Sequence, residues 1–182
     1  MNTASLNAHK SIRKLTTSGI CLALCLLLPF LTGQIPQIGA ALSPMHIPVL
    51  LAGFIAGPFH AAIVGVLAPI LRFSIFGMPP LLPTGIAMSF ELAVYGLATG
   101  FMYRMLPKRN VSIYISLVSA MLMGRVVWGI MRYLLSGIIG PPFTLEMFML
   151  GAFVNAVPGI ITHIILIPAI IIGMRKANLL IE

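Results

Sequence analysis

Residues 46–76 read HIPVLLAGFIAGPFHAAIVGVLAPILRFSIF, and their only Lys, Arg, Asp or Glu is Arg72. A stretch this apolar and this long belongs in lipid, because a hydrocarbon core about 30 Å thick takes about 20 apolar residues per helix. Gly57 and Pro58 cut the stretch in two: glycine frees the backbone, and proline lacks the N–H that would continue a helix. The stretch therefore divides into a short span at 46–56 and a full one at 59–76.

The same accounting places one span before this stretch, at 15–31, and three after it, at 84–106, 113–138 and 147–174. Gly77, Met78, Pro79, Pro80, Leu81, Leu82 and Pro83 close the third span, and Gly140, Pro141 and Pro142 close the fifth. The expected fold is an all-α integral membrane protein, a six-transmembrane-helix bundle, forming a single domain over 1–182 with an N-terminal tail at 1–14. Composition agrees: 59% of the 182 residues are hydrophobic, 8% are charged and the mean hydropathy is +1.08. A soluble domain keeps about 25% charged residues to face water.

Eleven Lys and Arg against three Asp and Glu give a formal charge of +8. In a soluble chain that excess suggests nucleic acid, but here the cations sit in short clusters between apolar runs, without interleaved aromatics, as membrane topology requires. Lys10, Arg13 and Lys14 precede the first span, Arg104, Lys108 and Arg109 lie between the fourth and fifth, and Arg175 and Lys176 follow the last. Basic residues near helix ends stay on the cytoplasmic side. Both termini are thus expected in the cytoplasm, with the connections 32–45, 77–83 and 137–146 outside. The first two carry no charge and the third only Glu146.

The polar start before an apolar run resembles a signal peptide, but no Ala-x-Ala cleavage pattern follows, so the segment is read as leading into the first span. Cys21 and Cys25, one turn apart, have no companions for a disulfide framework or a metal site and are read as packing or lipid-facing residues.

Ionisable side chains within a span cost about 2.5 to 3.5 kcal/mol each on insertion scales and turn toward protein or a wet cavity. Arg72, Glu91, Arg125, Arg132 and His46 all fall toward the outer ends of their spans in this topology, where a capture site belongs. Arg125, Trp128 and Arg132 are three and four residues apart and share one helical face. Two cations around an aromatic plane suit a flat or anionic solute; the competing reading is an ion pair with Glu91 and an Arg132 that snorkels to the interface. Glu91 reads equally as a ligand contact and as the counter-ion of Arg72 or Arg125, and Tyr95, one turn from it, adds a hydroxyl to the same region. Asn155 must find a partner in lipid, either in a cavity or between helices. Ser43 is read as a cap for the helix starting at His46. His163 has no acidic or cysteine neighbour in sequence and reads as a weak site candidate.

No metal site or cofactor is expected on the chain. A Gly-x-x-x-x-Gly-Lys-Ser/Thr loop is absent, as are a His-Glu-x-x-His helix and an intramembrane carboxylate pair, so neither an ATPase of that class nor a hydrolase is read here. The paired broken helices of a secondary transporter are not found either.

Two stretches carry a family resemblance. LSPMHIPVLLAGFIAGP at 42–58 runs into a short helix closing with Gly-Pro, and FGMPP at 76–80 precedes AMSFELAVYG at 87–96. With the chain length, six spans and long first outer loop, they resemble the S components, the substrate-binding membrane subunits of energy-coupling factor (ECF) vitamin transporters. Gly19 and Ala23 are similar to the family's Ala-x-x-x-Ala coupling motif on the first helix, with Gly replacing the first Ala; small side chains there let another helix come close.

The resemblance implies a multi-pass protein of the bacterial cytoplasmic membrane that binds a water-soluble B-type vitamin from outside. It further implies docking on a transmembrane coupling subunit with two ATPase subunits, an ABC-type transporter complex in which ATP is used by the partners. The excess of Arg72, Arg125 and Arg132 over Glu91 favours pantothenate; a ring stacked on Trp128 and bonded to Glu91 and Asn155 favours pyridoxine or a hydroxymethylpyrimidine. The candidate substrate-binding residues are His46, Arg72, Glu91, Tyr95, Arg125, Trp128 and Asn155, and the candidate coupling residues Gly19 and Ala23. The competing classes are a self-sufficient channel or facilitator for a small solute, and an intramembrane scaffold without a ligand.

Overall fold

A computed structural model describes residues 3–32, 35–138, 142–177 and 179–180. Gly140 and Pro141, expected to end the fifth span, lie outside the described residues. The described chain is all helical: α1 (Thr3–Leu27), α2 (Pro36–Leu42), α3 (His46–Ile55), α4 (Pro58–Phe76), α5 (Ile86–Met105), α6 (Asn110–Ser136), α7 (Leu145–Met149) and α8 (Val157–Lys176). A 3-10 turn, Leu28–Thr32, extends α1, and π turns at Leu81–Gly85 and Leu150–Val154 lead into α5 and follow α7.

Five helical runs, 8–32, 58–76, 81–105, 110–136 and 145–176, are long and apolar enough to cross a membrane. The second of the six expected spans, α3, has only ten residues, about 15 Å of helix. It packs against α1, α4, α5 and α8, and of its residues only Ile47 is not fully buried. A helix apolar on every side is at home in a core, and α3 is the core of this bundle.

The breaks come where the sequence puts them. Gly57 takes φ 98° ahead of Pro58, the first residue of α4, and Gly77 ends α4 at φ 71°. Three further glycines serve close approach, which small residues allow between membrane helices. A Cβ on Gly65 would lie 2.5 Å from the Leu92 backbone, one on Gly96 2.6 Å from Ala61, and one on Gly100 2.5 Å from Pro58. These contacts draw α4 and α5 together along their length.

Three expectations need correction. Helix α1 starts at Thr3, so the segment read as a tail is helical from that residue. The last span is not one helix: Thr144 caps α7 by accepting from the Met147 N–H at 3.3 Å, the π turn follows, and Pro158 opens a fresh helix because it has no N–H to donate backwards. Ser43 does not cap α3 with its side chain; it ends α2 in a left-handed conformation, φ 47° and ψ 53°.

The basic clusters meet at one end of the bundle. Lys14, Arg104 and Lys108 line a cavity of about 430 Å³ there, and Arg175 donates to the Tyr103 hydroxyl at 2.8 Å and to Asn110 at 3.1 Å. Pro29, Thr32, Ile35 and Gly39, with Met78, Pro80 and Thr84, gather around a second cavity.

Candidate functional site

The second cavity, of about 440 Å³, has walls from five parts of the chain. Pro29 and Thr32 come from the end of α1, Ser43 and Met45 from the turn between α2 and α3, Pro79 and Thr84 from the approach to α5, and Gly151 from the π turn. His46, Arg72, Glu91, Arg125, Trp128 and Asn155 also line it.

Its polar centre is built on Glu91, which is 1% exposed. Arg125 Nη1 lies 3.1 Å from Glu91 Oε1 and His46 Nε2 lies 3.4 Å from the same oxygen. Neither approach is aligned as a hydrogen bond: Glu91 Oε1, both His46 nitrogens and Arg125 Nε are buried without a hydrogen-bond partner among the described residues. Buried polar atoms almost always have partners, from protein, water or ligand, so this cluster has unused capacity.

The local sequence explains how the three side chains meet. Gly124, beside Arg125, has the Tyr95 ring so close that a Cβ there would overlap it, and would stand 3.2 Å from the Glu91 carbonyl. That contact brings α6 onto α5 and carries Arg125 to Glu91. Tyr95 is 1% exposed and stands behind the cavity instead of lining it. Its ring meets the His46 ring edge-on at 5.1 Å and its side chain engages Glu91. The grouping expected in sequence is therefore divided, with Glu91 at the surface of the cavity and Tyr95 buttressing it.

Trp128, one turn from Arg125, forms an aromatic wall. Phe143 meets it edge-on at 5.7 Å and Phe148 near-parallel at 6.3 Å. Gly151 lies against the indole; a Cβ there would be 2.9 Å from the ring. Arg132 shares the stripe but reaches elsewhere, donating to Thr84 Oγ1 at 3.3 Å and covering Phe143 at 5.5 Å.

Arg72 has not paired with Glu91, as one reading of the sequence had it. Its Nη1 donates to the Leu26 carbonyl at 2.6 Å, and the guanidinium caps the edge-to-face pair of Phe30 and Phe76, 5.3 and 5.2 Å from their ring centroids. Asn155 lines the cavity while keeping an exposed face. Cys21 and Cys25 are buried as free thiols.

Sequence reasoning missed three contributors. Thr84 and Gly151 belong to π turns that no local pattern announced. His163, dismissed for want of acidic neighbours in sequence, stands beneath His46 with ring centroids 6.1 Å apart and an interplanar angle of 23°. No group of three His, Cys, Asp or Glu among the described residues is arranged to hold a metal ion.

In comparison with protein families, a family model described as "ECF transporter, substrate-specific component" fits residues 13–173. Comparisons with curated proteins and with solved structures give no match.

Proposed function

The chain belongs to the family of ECF transporter substrate-specific components, and from that premise we propose that it captures a water-soluble B-type vitamin at the outer face of a bacterial cytoplasmic membrane. It hands the vitamin to an ATP-driven coupling module that brings it into the cytoplasm. The observation that carries this reading is the buried ion cluster of His46, Glu91 and Arg125, whose atoms lack hydrogen-bond partners among the described residues, at the wall of a cavity of about 440 Å³. A polar solute supplies those partners, and Trp128 offers its ring a stacking face.

Pantothenate is the first choice of substrate. Arg125 and Arg72 in the wall outnumber Glu91 and favour a carboxylate, while Asn155 serves a hydroxyl or amide. Pyridoxine or a hydroxymethylpyrimidine is the second choice, since Glu91 accepts from ring substituents and Trp128 stacks on the ring.

The basic end of the bundle is assigned to the cytoplasm by the distribution of Lys and Arg. With α3 counted as a crossing, six crossings return both termini to that side. Between the two cavities lies the core of α3, where Val49, Leu50 and Ala52 are 0% exposed; this apolar plug supports delivery by movement of the subunit and not through a continuous pore. On α1, Gly19 has open space around the site of a Cβ, and Ala23 is exposed. That small, uncovered face is where the transmembrane coupling subunit docks, with the two ATPase subunits beneath it consuming ATP. The chain itself is not an enzyme.

The test is calorimetry of the purified protein in detergent against pantothenate, pyridoxine, hydroxymethylpyrimidine, biotin, folate, thiamine and riboflavin, together with identification of any small molecule that co-purifies. Tight binding of one member, with transport in liposomes only when the coupling module and ATP are added, is the expected result. A folded sample that binds none of them overturns the vitamin assignment, and transport without the module would make the protein a facilitator.

A further inference from the structure

His163 is 1% exposed within an apolar helix, and capture as described above gives it no task. An imidazole placed in a membrane span needs partners and a reason. One partner is in view: the backbone of Ser43 stands within hydrogen-bonding reach of the His163 side chain. The Ser43 N–H already donates to the Gly39 carbonyl at 2.9 Å, which leaves the Ser43 carbonyl as the acceptor. That carbonyl also takes the N–H of His46, at 3.0 Å.

One turn earlier on α8, Gly159 presses against the same part of the chain. A Cβ there would be 2.6 Å from the Ala41 oxygen and 3.1 Å from that of Leu42. Helix α8 thus meets the α2–α3 turn at two points on one face. Ser43 needs such support, because its φ of 47° lies in the left-handed region that residues with a Cβ seldom enter. This conformation turns the chain from α2 into α3 and fixes where His46, the first residue of α3, begins. The His46 ring then lies nearly parallel to His163 on one side and edge-on to Tyr95 on another, with Nε2 toward Glu91.

We propose that His163 is a positioning residue of the cavity: from α8 it holds the Ser43 turn by a hydrogen bond and backs the His46 ring, so setting the angle at which His46 faces Glu91 and a bound solute. The proposal rests on the capture reading for its consequence in binding, but its structural half stands without any ligand. A second copy of this geometry is available to no other histidine, since His9 lies on the N-terminal part of α1 and His60 at the start of α4.

The experiment compares His163→Leu, His163→Asn and His163→Gln in full-length protein carrying 15N-labelled histidine, with the His46 signals assigned from His46→Gln. Asn places an N–H near the position of Nδ1 and preserves the bond to Ser43; Leu removes it; Gln keeps an amide but displaces it. All three variants lose the neighbouring imidazole ring, so some shift of the His46 signals is common to them; expected is a further shift in the Leu and Gln variants beyond that of the Asn variant. Calorimetry with pantothenate and with pyridoxine should show about a tenfold loss for Leu, with most of it recovered by Asn, for whichever of the two the native protein binds. Should the Leu variant fail to fold, the Gln and Asn pair decides the matter. Folded Leu and Gln variants whose His46 signals shift no further than those of the Asn variant overturn the positioning role even if vitamin capture holds, whereas a further shift in a protein that binds neither probe retains the positioning and removes the capture reading.

Discussion

Two cavities of nearly equal size, about 440 and 430 Å³, open at opposite ends of this bundle and differ in how their polar groups are satisfied. At the basic end, Lys108 donates to the Tyr103 carbonyl at 3.2 Å, Arg175 to the Lys108 carbonyl at 3.3 Å, and Arg13 to the Leu179 carbonyl at 3.3 Å. Cations there serve backbone oxygens: Tyr103 lies in the last turn of α5, where the dipole favours positive charge, and Lys108 and Leu179 lie in the chain outside the helices. At the other end Glu91, His46 and Arg125 converge on one another without completing their hydrogen bonds. Size therefore does not distinguish a binding site from a seam between helices. What does is the convergence of three ionisable side chains with unspent hydrogen-bonding capacity on one space; the Thr99 and Ser116 hydroxyls are also buried without a partner among the described residues, but they line neither cavity.

The largest effect should come from the hub of the outer cluster. Glu91→Gln removes the charge that both Arg125 and His46 approach, and is expected to lower vitamin affinity at least about a hundredfold, near 3 kcal/mol. It also strands Arg125, and breaking a buried pair costs about 3–5 kcal/mol of stability. The double variant Glu91→Gln/Arg125→Met separates the two consequences: thermal unfolding should return toward the native value while calorimetry still reads no binding. If Glu91→Gln binds normally, the contrast between the cavities loses its functional meaning.

How much of this was legible beforehand depends on whether the signal was local. Chain class, the Gly57-Pro58 and Gly77 breaks, and the shared stripe of Arg125 and Trp128 follow from composition, backbone chemistry and the period of a helix. Which side of a stripe faces inward does not. A membrane helix is apolar toward lipid and apolar toward its neighbours, so amphipathicity gives no bearing on the interior. That is why Arg72 could be read as a partner of Glu91 although its guanidinium is held by Leu26, Phe30 and Phe76. His163 was discounted for a related reason: its neighbours in the fold, Ser43 and His46, lie far away in the sequence. The division of the last span depended on Thr144 and Pro158 acting together around a π turn, a combination without a sequence period.

An intermediate effect is expected at the aromatic wall. Trp128→Ala removes the stacking face and should weaken binding about tenfold, in keeping with the roughly 0.5–1.5 kcal/mol of an aromatic pair beyond its buried area. Gly151→Ala probes the same wall from behind. Its methyl would meet the indole at 2.9 Å, pushing the ring into the cavity. A loss of about threefold, below 1 kcal/mol, is expected by calorimetry, with the larger vitamins of the panel affected more than the smaller. Equal losses across all sizes would show that the indole does not bound the ligand.

The smallest effect belongs to the other cavity. Arg104 lines it and packs its guanidinium over Gly57, so Arg104→Ala changes the walls of a space as large as the outer one. If volume made a site, this substitution would matter as much as Trp128→Ala. Because the buried core of α3 stands between the two spaces, vitamin affinity should instead stay within about twofold, or about 0.4 kcal/mol, of the native value. A loss comparable to that of Trp128→Ala would mean that the basic end reports on the outer cavity through α3, and the two regions would have to be treated as one coupled site.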